Sequence, residues 1–169
     1  VRSDLSVSGV AFTIDTETGF DKVILINGIY GLGEFIVQGK VIPDEFIIFK
    51  PTLELGNKNP IIGKNIGKKN IKLIYAKEGT KEDKVSLQDQ QKFCITNEEA
   101  IKLAQWCLQI EKYFSKKHGH YQSMDIEWAK DGKTGELFIV QARPETVISG
   151  QDKNVLKEYK LEKTSKILV

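Results

Sequence analysis

Residues 124–144, "MDIEWAKDGKTGELFIVQARP", constrain the fold more than any other stretch of the sequence. Two runs in which apolar residues mostly alternate with others flank a run of turn formers, which is the pattern of a β-hairpin. A hairpin centred on Thr134 places the apolar set of each strand on the same face. Burial favours that register, because a slip of one residue would lose the match. The predicted apolar sets are Met124, Ile126 and Trp128 on the first strand and Phe138, Val140 and Ala142 on the second.

The opposite face of this hairpin is predicted to be polar at one end. In the same register Glu127 faces Gln141, and Asp125 faces Arg143. A solvated sheet face with a cross-strand ion pair would explain these residues without any function, and on the residues alone it is the simpler interpretation. The alternative is that something charged binds there.

The other end of that polar face is predicted to be apolar, through Ala129, Leu137 and Ile139. A face that is apolar at one end and charged at the other favours a bound ligand with an apolar and an anionic part. A carboxylate beside an amide oxygen suits Mg²⁺, which prefers oxygen ligands and often bridges to phosphates. A nearby arginine suits phosphate through paired hydrogen bonds. Together these residue types indicate a nucleoside triphosphate with its metal.

The rest of the chain predicts an α+β fold, with a mixed or antiparallel sheet and packed helices. Thr96 and Glu99 have the form of a capping box, and the apolar residues after them recur at steps of three and four. A helix is therefore expected over 97–117, with Cys107 in its buried face, and a shorter helix is expected to end at Gly39. Strands are predicted at 8–14, 22–27, 44–50 and 71–76, with a surface excursion over 53–72 and a polar region over 77–92.

The composition is that of one globular domain. The chain has 169 residues, of which 40% are hydrophobic and 28% charged, which is enough for a real core. A net charge of +2 is too near zero to indicate binding to nucleic acid or to a membrane. No apolar run approaches the ~20 residues of a membrane span. Cys94 and Cys107 lack the spacing of a metal site, which favours a reduced, cytoplasmic protein.

Three other features are weaker candidates for function. The glycine-rich stretch 28–33 is neither a dinucleotide fingerprint nor a phosphate-binding loop with its lysine, so a tight turn before the first helix is the simpler interpretation. His118 and His120 are two possible metal ligands, but no third candidate lies nearby in the sequence, so they are weak evidence for a zinc site. A basic patch is expected either to be solvated or to contact another part of a larger protein; its members are Lys58, Lys64, Lys68, Lys69 and Lys72.

Four stretches in order carry a resemblance to a known family: "VRSDLSVSGVAFTIDTETGFD", "YGLGEFIVQGKVIPDEF", "MDIEWA" and "IVQARPETV". Together they resemble the phosphoenolpyruvate synthase family, the pyruvate, water dikinases. The resemblance covers 1–150 and implies the second, C-terminal subdomain of an ATP-grasp ATP-binding domain. Residues 151–169 then resemble a linker towards a phosphohistidine domain. Because the chain begins so close to a strand, it is expected to be a piece of a larger protein.

The resemblance implies a role for each polar residue of the hairpin. Glu127 and Gln141 correspond to ligands of Mg²⁺, Arg143 to a catalytic residue that meets the ATP phosphates, and Asp125 to a supporting residue. The family transfers a phosphoryl group from ATP to a histidine and on to pyruvate, giving phosphoenolpyruvate, AMP and phosphate. The first ATP-grasp subdomain, the phosphohistidine domain and the pyruvate site would lie outside this chain, so the chain alone is expected to be inactive.

Two alternatives remain open at this point. The chain could be the ATP-binding domain of a related dikinase or of an antibiotic phosphotransferase, since these share the last of the four stretches. It could also be a non-catalytic interaction module whose polar hairpin end makes surface pairs only. Glu34, in the glycine-rich motif, could help to shape the site in the family.

Overall fold

A computed structural model describes residues 1–56 and 59–146. Helices and strands alternate irregularly along these residues, and the strands dominate. The strands are β1 (Val7–Phe12), β2 (Val23–Tyr30), β3 (Asp44–Phe49), β4 (Ile61–Asn65), β5 (Ile71–Tyr75), β6 (Thr80–Lys84), β7 (Met124–Lys130) and β8 (Leu137–Pro144). The helices are α1 (Glu34–Val37), α2 (Lys50–Glu54), α3 (Leu87–Gln90) and α4 (Asn97–His118), and a 3-10 turn covers Ser3–Leu5.

Six strands form one antiparallel sheet in the order β4-β3-β2-β1-β7-β8, and β5 pairs with β6 in a separate ribbon. The α+β prediction is confirmed, and the sheet is of the antiparallel kind that the sequence left open. This architecture is consistent with an ATP-grasp-like domain. The central place of β1, between β2 and β7, joins the first strand to the last hairpin of the described residues.

One face of the sheet is covered by α4. Its N-terminus carries the predicted capping box, in which Thr96 and Glu99 satisfy each other's backbone N–H groups, and Gly119 ends it in the left-handed conformation (φ 75°). Cys107 is fully buried in the core against the sheet, as predicted. Burial raises the pKa of the Cys107 thiol to about 12, so the side chain behaves as a core residue and not as a nucleophile.

A tryptophan packs against two glycines on this core face. Trp128 is 1% exposed, and a methyl group at Gly9 would lie 2.7 Å from its ring. A methyl group at Gly28, which pairs with Gly9 across β1 and β2, would lie 3.2 Å from the same ring. The missing side chains therefore create the space for the indole, which anchors β7 to the middle of the sheet.

A buried ion pair corrects the expectation for the basic patch. Lys69 is fully buried, and its ammonium group donates to the carboxylate of Asp44 and to the carbonyl of Gly67. Asp44 also accepts the backbone N–H groups of Gly67 (2.8 Å) and Cys94 (2.7 Å). The prediction of a solvated face is thus wrong for Lys69, because a loop folds back to give it a counter-charge. Lys58 lies outside the described residues.

Two regions predicted as irregular contain regular elements. The excursion over 53–72 includes the end of α2 and all of β4, which is an edge strand of the main sheet. The polar region over 77–92 contains β6 and α3. Every residue of β6 is exposed, so this strand has no apolar alternation that could reveal it. Among the described residues, no helix is long and apolar enough to cross a membrane.

Candidate functional site

The β7–β8 hairpin has the predicted pairing at its polar end. Glu127 lies opposite Gln141, and Asp125 lies opposite Arg143. The register then shifts between Glu127 and Trp128, because β8 contains one extra residue. Trp128 pairs with Ile139 instead of facing the next residue of β8. The predicted register therefore holds for one half of the hairpin and is off by one in the other half.

This β-bulge corrects the predicted faces of β8. Leu137 is 7% exposed and Ile139 packs against the same core as α4, although both were placed on the polar face. Phe138 and Val140, predicted to be buried, are 38% and 59% exposed. The extra residue reverses the alternation of side chains on one side of the bulge. Ala142 packs against the core, as predicted.

The polar residues lie on the sheet face opposite α4, which we call the open face. Strand β1 runs beside β7 there, with Phe12 opposite Asp125 and Val10 opposite Glu127. Core residues occupy the alternate positions of both strands. Side chains of β1, β7 and β8 thus form rows across the open face, and the row through Glu127 joins Val10 to Gln141.

A cleft of about 340 Å³ lies on the open face, between the sheet and α1. The polar residues that line it are Ser3, Ser8, Glu34, Gln38 and Glu127. Its apolar lining comes from Val10, Leu32, Ile36, Val37, Ala129 and Val140. The prediction that Ala129, Leu137 and Ile139 form an apolar end of the polar face is wrong for Leu137 and Ile139, which pack on the core side, and holds for Ala129, which lines the cleft. Glu34 of α1 also lines it.

The wall of the cleft that α1 provides depends on the glycine-rich stretch. Gly31 adopts a positive φ of 82°, which a residue with a side chain rarely takes. The bend at Gly31 is held by Ser8, whose hydroxyl donates to its carbonyl oxygen at 2.7 Å. This turn aims α1 over the open face, and Gly39, with φ 66°, follows the helix as predicted.

Arg143 is held in place by Asp125. Its Nε and Nη2 atoms lie 2.8 and 2.7 Å from the same carboxylate oxygen, Oδ2. The hydrogen bond to Asp125 and the charge of that carboxylate raise the pKa of Arg143, and Glu127 adds to the effect. The Arg143 side chain is 61% exposed, whereas that of Asp125 is 15% exposed. This arrangement directs the guanidinium group of Arg143 towards solvent and leaves N–H donors of that group available for a ligand.

Glu127 and Gln141 make no side-chain hydrogen bond within residues 1–56 and 59–146. Glu127 is half-buried and Gln141 is exposed, so the oxygens of both remain available for a ligand. No cluster of three His, Cys, Asp or Glu side chains suited to a metal occurs in the described part of the chain. His118 and His120 stack at 5.9 Å on the surface and belong to no such cluster.

Comparison with known proteins identifies the class of domain. The family model described as "Pyruvate phosphate dikinase, AMP/ATP-binding domain" matches residues 1–163. The chain therefore belongs to this family of nucleotide-binding domains.

Its relatives include phosphoenolpyruvate synthases. Those of Synechocystis sp., Aquifex aeolicus and Escherichia coli are 54%, 52% and 49% identical to the chain, over 99%, 96% and 99% of its residues. The resemblance seen in the sequence is confirmed. The matched regions are 21%, 19% and 21% of these three proteins, so the chain spans about a fifth of their length.

Proposed function

We propose that the chain is the second subdomain of an ATP-grasp domain and binds Mg·ATP on its open face as part of a phosphoenolpyruvate synthase. The observation that carries the proposal is the register that sets Glu127 opposite Gln141 and Arg143 opposite Asp125, beside an apolar cleft. A nucleotide has the same division into an apolar nucleoside and a charged tail.

The residues present fit a magnesium ion that is shared with a nucleotide. Glu127 and Gln141 supply one carboxylate and one amide oxygen, and neither oxygen is used by another described residue. Mg²⁺ is usually held by one or two protein ligands and completes its octahedral shell with phosphate oxygens and waters. Two protein ligands are too few for a dedicated metal cage, in line with the metal being bound together with the phosphates. Bound there, Mg²⁺ would neutralise phosphate charge.

Arg143 is proposed to bind the phosphates and to stabilise the charge that develops during transfer. Its guanidinium group is pre-organised by Asp125, so little side-chain entropy is lost when a phosphate binds. Asp125 acts through Arg143 as a positioning residue. Phosphoryl transfer depends mainly on positioning and on charge stabilisation, which these residues can provide without covalent chemistry.

The rest of the reaction is proposed to need parts beyond this chain. In that proposal 1–150 form the ATP-grasp subdomain and 151–169 lead to a phosphohistidine domain, which carries the phosphoryl group to pyruvate. Residues from 147 onward lie outside the described residues, and the family match extends to 163. With only one wall of the nucleotide site present, the 169-residue chain should show no useful turnover. A single-turnover assay in which it phosphorylates an added histidine domain would contradict this.

The proposal is tested in the full-length protein that carries these residues. Glu127→Ala and Gln141→Ala should each lower ATP-dependent autophosphorylation by about 100-fold or more, as for other losses of charge-stabilising groups. Both side chains are at least partly exposed and make no protein hydrogen bond in the described residues, so the melting temperature should stay unchanged. The measurement is the label retained on the protein from β-labelled ATP at varied Mg²⁺, because release of AMP leaves the β-phosphoryl group on the histidine and the γ-phosphate departs as inorganic phosphate.

Glu136→Ala is the matched control. Glu136 is an exposed carboxylate in the turn of the same hairpin and does not line the cleft. Its replacement should leave the rate and the Mg²⁺ requirement as they are. If Glu127→Ala and Gln141→Ala also leave both unchanged, the open face is not the nucleotide site.

A further inference from the structure

The β-bulge in β8 consists of one extra residue, Val140, whose apolar side chain is not buried in the core. Ile139 pairs with Trp128, and Gln141 pairs with Glu127, so Val140 is the residue that has no partner on β7. Ile139 lies on the core face and Gln141 lies on the open face. A strand without Val140 would therefore keep both the core contact and the polar row. Val140 is nevertheless present, 59% exposed, and lines the cleft directly beside Glu127.

We infer that Val140 is a specificity-determining residue that packs against the nucleoside of the bound nucleotide. This inference rests on the proposed function. The cleft is lined by Glu127 of β7 and by apolar residues of the sheet and of α1, so a ligand whose phosphates lie at Glu127 and Gln141 places its nucleoside among these apolar residues, and Val140 is the one next to Gln141 in the sequence. Val10 of β1, Ala129 of β7 and Val140 of the edge strand β8 line this part of the cleft together.

The chemistry of the contact is dispersion and burial of apolar surface. Val140 is β-branched and has few side-chain conformations, so it loses little entropy when a ring packs against it. It has no group that could bind a phosphate or a metal. Its contribution should therefore appear in the affinity for nucleosides with phosphates and be absent from the affinity for phosphates alone.

The experiment compares Mg·ATP with magnesium tripolyphosphate in the full-length protein. Tripolyphosphate has the three phosphates but no nucleoside, so it reports on the phosphate and metal contacts, including those of Glu127, Gln141 and Arg143. Val140→Ala should raise the Kd of Mg·ATP by roughly tenfold, the usual effect of removing apolar contact from a pocket. The same variant should leave the Kd of tripolyphosphate unchanged. Removing Val140 entirely, which restores a regular ladder, should have the larger effect on ATP.

The matched control is Ile62→Ala on the opposite edge of the sheet. Ile62 occupies the corresponding bulge in β4, opposite the step from Ile47 to Ile48, and is 61% exposed. It lies outside the cleft, so its replacement should change neither Kd.

The outcomes separate the two proposals. If Val140→Ala leaves the Kd of ATP unchanged, or weakens tripolyphosphate equally, then the inference about Val140 is wrong while ATP binding stands. If the wild-type protein binds neither ligand, the proposed function fails, and the inference fails with it.

Discussion

Replacing Lys69 by Met tests whether the buried ion pair with Asp44 holds the fold as its geometry indicates. The side chains of both residues are 0% exposed, and the ammonium group touches Asp44 and the Gly67 carbonyl. Met has a similar length and no charge, so Lys69→Met removes the counter-charge while filling most of the volume. Asp44 is then left as a buried carboxylate with two backbone donors, Gly67 and Cys94.

The expected loss is large. Removing one partner of a buried ion pair costs about 3–5 kcal/mol, because the other charge stays buried without compensation. The two remaining N–H donors stabilise the carboxylate, so the lower end of that range applies, about 3 kcal/mol. A domain has about 5–15 kcal/mol of stability in total, so the variant should still fold. With a urea slope of about 2 kcal/mol per molar, the midpoint should fall by roughly 1.5 M.

A double-mutant cycle in urea supplies the measurement. Asp44→Asn alone should also destabilise strongly, because it leaves the ammonium group of Lys69 without its negative partner. The double variant is neutral at both positions and should cost less than the sum of the single variants by about 2 kcal/mol or more. Lys68→Met, at the exposed neighbouring position, serves as the control and should stay within about 0.5 kcal/mol of wild type.

Two results would refute this reasoning. A loss below about 1 kcal/mol for Lys69→Met would mean that the ammonium group reaches solvent in solution. Additive single and double variants would mean that the two charges do not interact.

Three further predictions concern the core and α4. Gly9→Ala should destabilise the chain by at least about 1–3 kcal/mol in urea unfolding, because the methyl group would lie 1.9 Å from a carbonyl oxygen of β2 and 2.7 Å from the Trp128 ring. Thr96→Ala should cost about 1 kcal/mol through loss of the cap that Thr96 shares with Glu99, whereas Thr96→Ser should cost far less. Stability should fall as the pH rises from 9 towards 12. The unfolded chain loses the Cys107 proton near its ordinary pKa of 9.0, and the folded chain keeps it until about 12. The slope from this group reaches about 1.4 kcal/mol per pH unit, and Cys107→Ala should remove that part of the slope.

The sequence predicts most reliably those elements whose signals are local. The capping box and the steps of three and four between apolar residues locate α4 within one residue at its C-terminal end. The turn formers of 131–135 and the charged positions on either side predict which residues face each other at the polar end of the hairpin. Both predictions hold because tertiary packing does not oppose these local preferences.

The β-bulge could not be predicted from the sequence, for a physical reason. Residues 137–140 are all apolar, so they fit either phase of a strand, and no alternation reveals where the extra residue lies. The position of the extra residue is decided by packing in the core, because Leu137 and Ile139 fill space beside Trp128 and Val140 does not. One feature of the sequence indicates a possible bulge. Four consecutive apolar residues stand next to the polar candidate site positions of this strand.

Lys69 and β6 were not predicted from the sequence, for two different reasons. Lys69 stands in a lysine-rich run that reads as a solvated surface, and its partner Asp44 is 25 residues away in the sequence. Strand β6 is held by pairing with β5 and has an entirely polar surface. The ion pair of Lys69 is a long-range contact, which a local pattern does not contain, whereas β6 pairs with the neighbouring strand β5 but lacks the apolar alternation that marks a strand.

The central position of β1 determines when the open face can exist during synthesis. Strands β1 to β4 and α4 can pair and pack as soon as their residues leave the ribosome, but Glu127 and Gln141 belong to the last hairpin. That hairpin docks on β1 across a gap of 111 residues, as between Met124 and Thr13. A nascent chain therefore stays without its polar row until nearly all of residues 1–146 have been made.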